Sequence, residues 1–234
     1  MLNSVTAWLN QRIMVTFARK KTESMDDRRY LLGLIREGEH QQQDFKYRVE
    51  DAVKLARSVS AFANTDGGRL LIGVRDDGAL AGVRSEEEIY MMHQAAYRYC
   101  RPEASIRFDT YHAEGRTIVV ATVPRAERRP VMATDEQGQR RAYIRIKDEN
   151  IVASPVHLAI WREEESSQGV AFTYGDDERR LMAAFREGEW TGLNQIVKRT
   201  RLSRHKVIVM LARCCRYGLA IWRMEDHRFE FALT

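Results

Sequence analysis

Residues 39–82 read EHQQQDFKYRVEDAVKLARSVSAFANTDGGRLLIGVRDDGALAG, and this stretch decides the fold. Apolar and small residues recur at helical spacing over 50–63, which predicts a helix. Gly67 and Gly68 then supply a turn, because glycine adopts positive φ without steric cost. The nearly continuous apolar run over 70–74 is typical of a central strand buried on both faces. The chain therefore turns back beside itself after the helix.

The same stretch places acidic residues before and after the predicted helix. Because the glycine turn brings the chain back beside itself, we expect Glu39, Asp44 and Asp76 to lie around one small volume. Clustered carboxylates either bind a cation or repel one another, and in the second case the fold must neutralise them.

Composition indicates a globular protein with a preference for polyanions. A chain of 234 residues is long enough for one large domain or two smaller ones with a buried core. Hydrophobic residues make up 44% and charged residues 30%, which argues against disorder. The net charge of +5 favours partners such as nucleic acid without proving one.

The cysteines and the apolar pattern predict a cytoplasmic location. Cys100 stands alone and Cys214 adjoins Cys215, so no disulfide framework is indicated. No apolar run approaches the length of a membrane span, and we expect no membrane partner. The first 22 residues are basic and could mimic a targeting peptide, but Met25 fits a true start. Residues 1–25 are therefore predicted to be an N-terminal extension or arm.

Further elements follow on either side of the opening stretch. Helices are predicted over 26–36, 85–99 and 155–165, a hairpin over 105–111 and 117–123 around Glu114 and Gly115, and a strand over 142–146. A run rich in Glu and Ser around 163–169 resembles a linker. These features divide the chain into a domain over 26–165, a linker over 166–175 and a tail domain over 176–234.

The tail has a different rhythm from the front domain. Its pattern predicts three helices, over 177–186, over 193–200 and from the residue after Ser203 to about residue 217. Two short strands, 219–224 and 228–233, would then form a hairpin. Three helices followed by a hairpin is the order of a winged helix-turn-helix.

The front domain resembles the Schlafen AlbA-like family, also described as divergent AAA or putative DNA-binding domains. The residues that carry the resemblance are Leu31 to Ile35 with Gly38 and Glu39, the triplet Asp44, Phe45 and Lys46, Ala61 to Thr65 with Gly67 and Gly68, Ile72 to Val74 with Asp76, Gly78 and Gly82, and later Arg129 to Val131 and Tyr143 to Arg145. The resemblance implies a mixed-sheet α/β lobe that contacts nucleic acid, followed here by the small winged helix-turn-helix.

The resemblance also implies candidate catalytic residues. In relatives that cut RNA, the acidic triad occupies the positions of Glu39, Asp44 and Asp76, and a lysine matches Lys46. These carboxylates would be the metal ligands, binding Mg²⁺ or Mn²⁺ for phosphodiester cleavage, with the lysine on the phosphate. The relatives carry two lobes, so one lobe here predicts a homodimer. The alternative is that the acids are solvated, Lys46 pairs with one of them, and Asp76 caps a turn.

Two other enzyme classes are disfavoured by the sequence. No Walker-type phosphate loop is present, and Gly68 is followed by Arg69 rather than by a lysine that opens a helix, so ATP hydrolysis is not expected. The six histidines have no metal-ligand spacing, so a zinc site is not expected either.

Cationic residues give the strongest functional signal. Between residues 193 and 216 there are seven basic residues and no acidic one. The predicted nucleic-acid-binding residues are Arg199, Arg201, Arg204, His205 and Lys206 in the tail and Arg125, Arg128, Arg129 and Arg145 in the front domain. Ser203 is a good N-cap, so 204–206 form the first turn of the helix that would enter the major groove.

Three functions follow, of which the first is favoured. The chain is predicted to bind nucleic acid, DNA or RNA, as a bacterial DNA-binding transcriptional regulator. The second is a metal-dependent endoribonuclease acting through the acidic triad. The third is a protein-interaction scaffold in which neither domain touches nucleic acid, since a cationic helix face can also be a merely solvated surface.

Overall fold

The computed structural model of this protein describes residues 25–165 and 174–234. The predicted arm over 1–25, apart from its last residue, and residues 166–173 of the predicted linker lie outside the described residues. The chain divides into two compact units, the first ending at Val152 and the second beginning at Ala153.

The first unit mixes helices and strands, numbered here in chain order. They are α1 (Met25–Glu37), β1 (Gln43–Lys46), α2 (Ala52–Asn64), β2 (Gly68–Ile72), α3 (Glu86–His93), β3 (Cys100–Arg101), β4 (Arg107–Ala113), β5 (Arg116–Val123), β6 (Met132–Thr134), β7 (Arg140–Ile146) and β8 (Glu149–Val152). A short π-helix, Gln94–Arg98, continues α3.

The predicted elements of this unit are confirmed where they are long. Helices α1 and α2 and the β4–β5 hairpin match their predicted positions to within about two residues at most ends. Glu114 and Gly115 both have positive φ, which suits the two-residue turn of a hairpin. The pattern does not predict β3, β6 or β8, because two to four residues carry too little periodicity.

The first sheet has the order β1-β2-β5-β4. Strand β2 pairs parallel with β1 and antiparallel with β5, so it is central, as its apolar sequence predicts. Helix α1 covers one face, where Leu31 and Leu34 pack with Phe45, Leu71 and Ile118. This packing fixes β1, whose last residues are the predicted site residues.

Helix α2 contacts strands of both sheets of the unit. The second sheet is antiparallel with the order β3-β6-β7-β8. Val59 and Phe62 of α2 share one core with Ile72 of the first sheet and Tyr143 of the second. A Cβ atom on Gly68 would lie 2.3 Å from the Phe62 ring, so this position has room only for glycine.

Asn64 at the end of α2 ties that helix to the second sheet. It is buried, and its side-chain amide donates to the carbonyl oxygens of Val131 and Tyr143, each at 2.9 Å. Its Oδ1 accepts from the Val131 N–H at 2.7 Å. Buried amides are tolerated only when they are paired in this way, so the contact fixes the position of β7 beside α2.

The second unit contains the remaining elements. They are α4 (Pro155–Glu165), α5 (Asp176–Ala183), β9 (Thr191–Gly192), α6 (Leu193–Thr200), α7 (Arg204–Arg216), β10 (Ala220–Glu225) and β11 (Arg228–Leu233). The strands form an antiparallel sheet with the order β10-β11-β9. The three predicted tail helices and the hairpin are present in the predicted order.

Helix α4 lies in the second unit and not in the front domain that the sequence predicts for residues 26–165. Val156 and Ala159 are buried in the same core as Leu181, Val207 and Phe231. The apolar face of this helix predicts that it packs against a hydrophobic core, but the sequence pattern does not indicate which domain provides that core. The unit is thus built on α4 to α7 with one small sheet.

His157 on α4 is a buried histidine in this core. Its ring centroid lies 4.5 Å from that of Trp222 and 4.8 Å from that of Phe229. Nδ1 lies 2.6 Å from the Ser154 hydroxyl, and Nε2 has no hydrogen-bond partner among the described residues. Burial lowers the pKa of His157 to about 4, so the ring is neutral in the folded protein near pH 7.

The buried histidine predicts acid sensitivity of the second unit. A histidine in the unfolded chain has a pKa of about 6.5. Between about pH 6.5 and pH 4, the unfolded chain therefore binds a proton at this residue, whereas the folded unit does not. The stability should therefore fall as the pH drops from about 6.5 to 4, by up to about 3 kcal/mol. Urea unfolding at several pH values, compared with His157→Leu, isolates this contribution. An identical pH dependence in both proteins would contradict it.

Within residues 25–165 and 174–234, every helix is too short or too polar to span a lipid bilayer.

Candidate functional site

Glu39, Asp44 and Lys46 lie together at strand β1. Residues 44 and 46 are two apart on a strand and so share a face. The Lys46 ammonium lies 2.6 Å from Asp44 Oδ2 as an ion pair without hydrogen-bond geometry, and it donates to the Phe45 carbonyl at 2.9 Å. Glu39 Oε1 accepts from the Phe45 N–H at 2.8 Å. Three of the four predicted catalytic residues are therefore neighbours.

Arg145 neutralises the same carboxylate from inside the protein. Its Nη2 lies 3.3 Å from Asp44 Oδ1, and its Nη1 donates to Asn150 Oδ1 at 3.0 Å. The guanidinium carbon lies 5.2 Å from the Phe62 ring centroid, and the residue is 2% exposed. The prediction that Arg145 binds nucleic acid is therefore wrong, since a buried guanidinium cannot reach a phosphate.

The surroundings of Glu39 raise its pKa above the ordinary value of a glutamate. Partial burial of the carboxyl group raises the pKa of Glu39, although the residue as a whole is exposed, and the nearby Asp44 carboxylate raises it further. The N–H of Phe45 and the charge of Lys46 act in the opposite direction. The net shift is upward, as expected when two carboxylates share a site.

Asp76 does not complete a metal site with these residues. It is an exposed residue in the turn after β2, where the Gly78 N–H donates to the Arg75 carbonyl at 2.8 Å. Among the described residues, no group of three or more His, Cys, Asp and Glu side chains is placed to hold a metal ion. Both Asp44 oxygens already face cations. The residues present thus do not fit the Mg²⁺ or Mn²⁺ site that the resemblance implies.

The glutamine run before Asp44 has a structural role that the sequence pattern does not predict. Gln43 is fully buried, and its Nε2 donates to the Leu34 and Gly38 carbonyl oxygens at 2.6 and 2.7 Å. Gln41 donates to the Arg145 carbonyl at 2.8 Å. These amides satisfy carbonyls at the end of α1 and the edge of β7. In the sequence, the only indication of such a role is their position between a predicted helix and a predicted strand.

The predicted basic loop after β5 is partly available to a partner. Arg125 and Arg128 are exposed, whereas Arg129 is half-buried and lies 3.4 Å from the Asn64 carbonyl. The loop is anchored by the Ala126 N–H, which donates to the Ala63 carbonyl at 2.8 Å. Its two outer arginines are therefore held on a fixed backbone.

The first turn of α7 presents a cationic surface. Ser203 caps the helix by accepting from the Lys206 N–H at 3.3 Å, and Arg204, His205 and Lys206 are all exposed. No acidic residue lies in this turn, so the positive end of the helix dipole adds to the charge. The Arg204 guanidinium contacts the Asn194 side chain, and the Lys206 ammonium pairs with Asp177.

Two arginines near the α6–α7 turn differ in whether they are available to a phosphate. Arg201 is exposed, ends α6 in the left-handed conformation, and so projects from the α6–α7 turn. Arg199, in contrast, pairs with both carboxylate oxygens of Glu189, at 2.7 and 3.2 Å, and donates to the Ala184 carbonyl at 2.9 Å. The interpretation of Arg199 as a phosphate ligand does not fit this arrangement.

A comparison with known protein families gives a match over most of the first unit. Residues 39–154 match the family model described as Schlafen, AlbA_2, and the mixed α/β fold that the resemblance implies is confirmed for this part of the chain. No curated protein matches the chain in sequence.

Two solved structures are similar to this chain. One is the DIP2311 protein from Corynebacterium diphtheriae, at 19% identity and a TM-score of 0.46, covering 81% of this chain and 34% of that one. The other is the N-terminal domain of a putative ATP-dependent DNA helicase RecG-related protein from Nitrosomonas europaea, at 21% identity and a TM-score of 0.38, covering 63% of this chain and 95% of that one. The chain thus spans about a third of the length of the first.

Proposed function

We propose that this chain is a nucleic-acid-binding protein whose second unit binds duplex DNA as a winged helix-turn-helix, and that it acts as a transcriptional regulator. The observation that carries the proposal is the exposed, acid-free first turn of α7, presented after a three-residue turn from α6. In helix-turn-helix proteins the amino end of the second helix enters the major groove. The Schlafen AlbA_2 match of the first unit adds support for a nucleic-acid-related role.

The basic residues of this surface differ in whether they already pair with an acidic residue of the protein. Arg201 and Arg204 have no acidic partner among the described residues, so they are free to meet phosphates or base edges. Lys206 must exchange Asp177 for a phosphate, which reduces its contribution. The hairpin tip carries Glu225 and Asp226, so the strands are not expected to grip the backbone at that point.

Alanine variants test where duplex binding resides. The double variant Arg201→Ala/Arg204→Ala should bind a labelled mixed-sequence duplex at least about tenfold more weakly, since each lost charged contact contributes roughly 1.5 kcal/mol or more. Fluorescence anisotropy at low salt measures the affinity. Arg180→Ala removes an exposed cation from α5 and serves as the matched control.

The outcome also separates the alternatives. Equal affinity in the wild-type protein and the double variant would contradict the proposal. Absence of binding to any duplex, or to an RNA stem-loop in a parallel titration, would favour a protein-interaction scaffold. A ribonuclease is not proposed, because no group of three acidic side chains among the described residues is placed to hold a metal ion and Asp44 already faces two cations.

A further inference from the structure

A small pocket opens at the amino end of α2 in the first unit. It has a volume of about 350 Å³, which is within the range of small-molecule sites. Lys46, Arg48 and Lys54 line it together with the apolar side chains of Val49 and Leu55. It therefore offers an apolar floor with a cationic rim.

The two acidic residues of the pocket offset these cations only in part. Asp51 Oδ2 lies 3.8 Å from the Lys54 ammonium, but both side chains are exposed and solvent screens the pair. Asp51 is the N-cap of α2, and its Oδ1 accepts from the N–H groups of Val53 and Lys54 at 2.8 and 3.1 Å. Glu50 lies 3.5 Å from Arg48 with three quarters of its side chain exposed, so solvent screens that pair. Arg48 Nε is shielded from solvent and has no hydrogen-bond partner among the described residues.

Beside the pocket, two arginines converge on one exposed tyrosine. Arg48 donates to the Tyr47 hydroxyl at 3.0 Å, and its guanidinium carbon lies 4.7 Å from the ring centroid. The guanidinium carbon of Arg75 lies 5.1 Å from the same centroid. Arg75 has no acidic partner in the described part of the chain. Two like charges at one ring repel each other unless an anion joins them.

The tyrosine itself reports a positive potential at this place. The hydrogen bond from Arg48 lowers the pKa of Tyr47, and the charges of Arg48 and Arg75 lower it further. A site that stabilises a phenolate also stabilises another oxyanion brought to the same position. Guanidinium groups bind phosphate oxygens in paired hydrogen bonds, so phosphate is the oxyanion that this pair of arginines fits best.

We propose that Tyr47, Arg48 and Arg75, with the adjoining pocket, bind a nucleoside phosphate. The arginines hold the phosphate, and the exposed Tyr47 edge and the apolar floor at Val49 and Leu55 contact the nucleoside. The ligand is either a free nucleotide or the phosphorylated end of a strand, since both present the same chemistry. The site lies in the first unit and does not depend on duplex binding by the second.

Calorimetric titration of the full chain tests this site. The probes are the four ribonucleoside 5′-monophosphates, the nucleosides, inorganic phosphate, and a trinucleotide with and without a 5′-phosphate. We expect a phosphorylated probe to bind and its unphosphorylated form not to bind. Arg48→Gln and Arg75→Gln should each weaken binding at least about tenfold. Arg140→Gln, at an exposed arginine on β7 outside the pocket, should change nothing.

The choice of probes distinguishes a free nucleotide from the phosphorylated end of a strand. Binding of a mononucleotide identifies a free nucleotide, and binding of the 5′-phosphorylated trinucleotide alone identifies a strand end. The proposal is overturned if no nucleoside phosphate binds at about 1 mM. It is also overturned if inorganic phosphate binds as tightly as the nucleotides, or if the Arg48→Gln/Arg75→Gln variant, shown by circular dichroism to be folded, binds as the wild type does.

Discussion

Replacing Arg145 by methionine should destabilise the first unit by about 3–5 kcal/mol, because it leaves the buried Asp44 carboxylate without its inner partner. Lys46 alone cannot replace it, since Lys46 approaches the other oxygen from the solvent side. The variant also removes the hydrogen bond to Asn150 and the contact with Phe62. Chemical denaturation of the first unit measures the loss.

Two further variants assign the effect to the ion pair. Arg145→Met/Asp44→Asn should recover a large part of the lost stability, because no uncompensated charge remains buried. Arg140→Met, on the exposed start of the same strand, should change the stability by less than about 0.5 kcal/mol. A loss of less than about 1 kcal/mol for Arg145→Met would show that Asp44 is not held by this partner.

The buried position of Arg145 depends on long-range packing that the local sequence does not encode. The alternation of Tyr143, Ile144, Arg145 and Ile146 predicts the strand correctly, because side chains on a strand alternate in direction. It does not show that a second sheet and α2 cover this strand. An arginine on such a strand is expected to be exposed. The burial of Arg145 depends on distant partners such as Asp44 and the Gln43 carbonyl, which lie 101 and 102 residues away in sequence.

At the candidate site, the sequence predicts the proximity of residues close in sequence but not the position of Asp76. The proximity of Glu39, Asp44 and Lys46 could be predicted, since they lie within eight residues around one strand. The position of Asp76 could not, because the turn from Arg75 to Gly78 decides its direction. Short-range patterns predict local elements well, whereas long-range ion pairs depend on how the elements pack.

In the tail, too, the local sequence predicts the helices but not the ion pairs between distant residues. The helix bounds and the Ser203 cap could be predicted from periodicity and capping preference. The engagement of Arg199 by Glu189 could not, since it depends on the loop that follows α5. Of the seven tail cations, Arg213 also has a partner, because it pairs with Glu163 of α4. The surface available to phosphates is thus smaller than the sequence suggests.

This smaller surface leads to a quantitative prediction for duplex binding. Four exposed cations, Lys198, Arg201, Arg204 and Lys206, are placed on or beside the α6–α7 turn. If the five tail residues that the sequence predicts to bind nucleic acid each neutralised one phosphate, the slope of log affinity against log salt would be about −4 to −5. Four cations give a slope of about −3 to −4, so the affinity should fall roughly hundredfold between about 50 and 200 mM salt.

The salt dependence of duplex binding by the full chain is the most direct test of the central claim that the cationic first turn of α7 contacts the DNA backbone. We expect a slope of about −3 to −4 for the wild type and about two less in magnitude for Arg201→Ala/Arg204→Ala, with Arg180→Ala unchanged. A wild-type affinity that does not vary with salt, or an equal slope in the double variant, would contradict it.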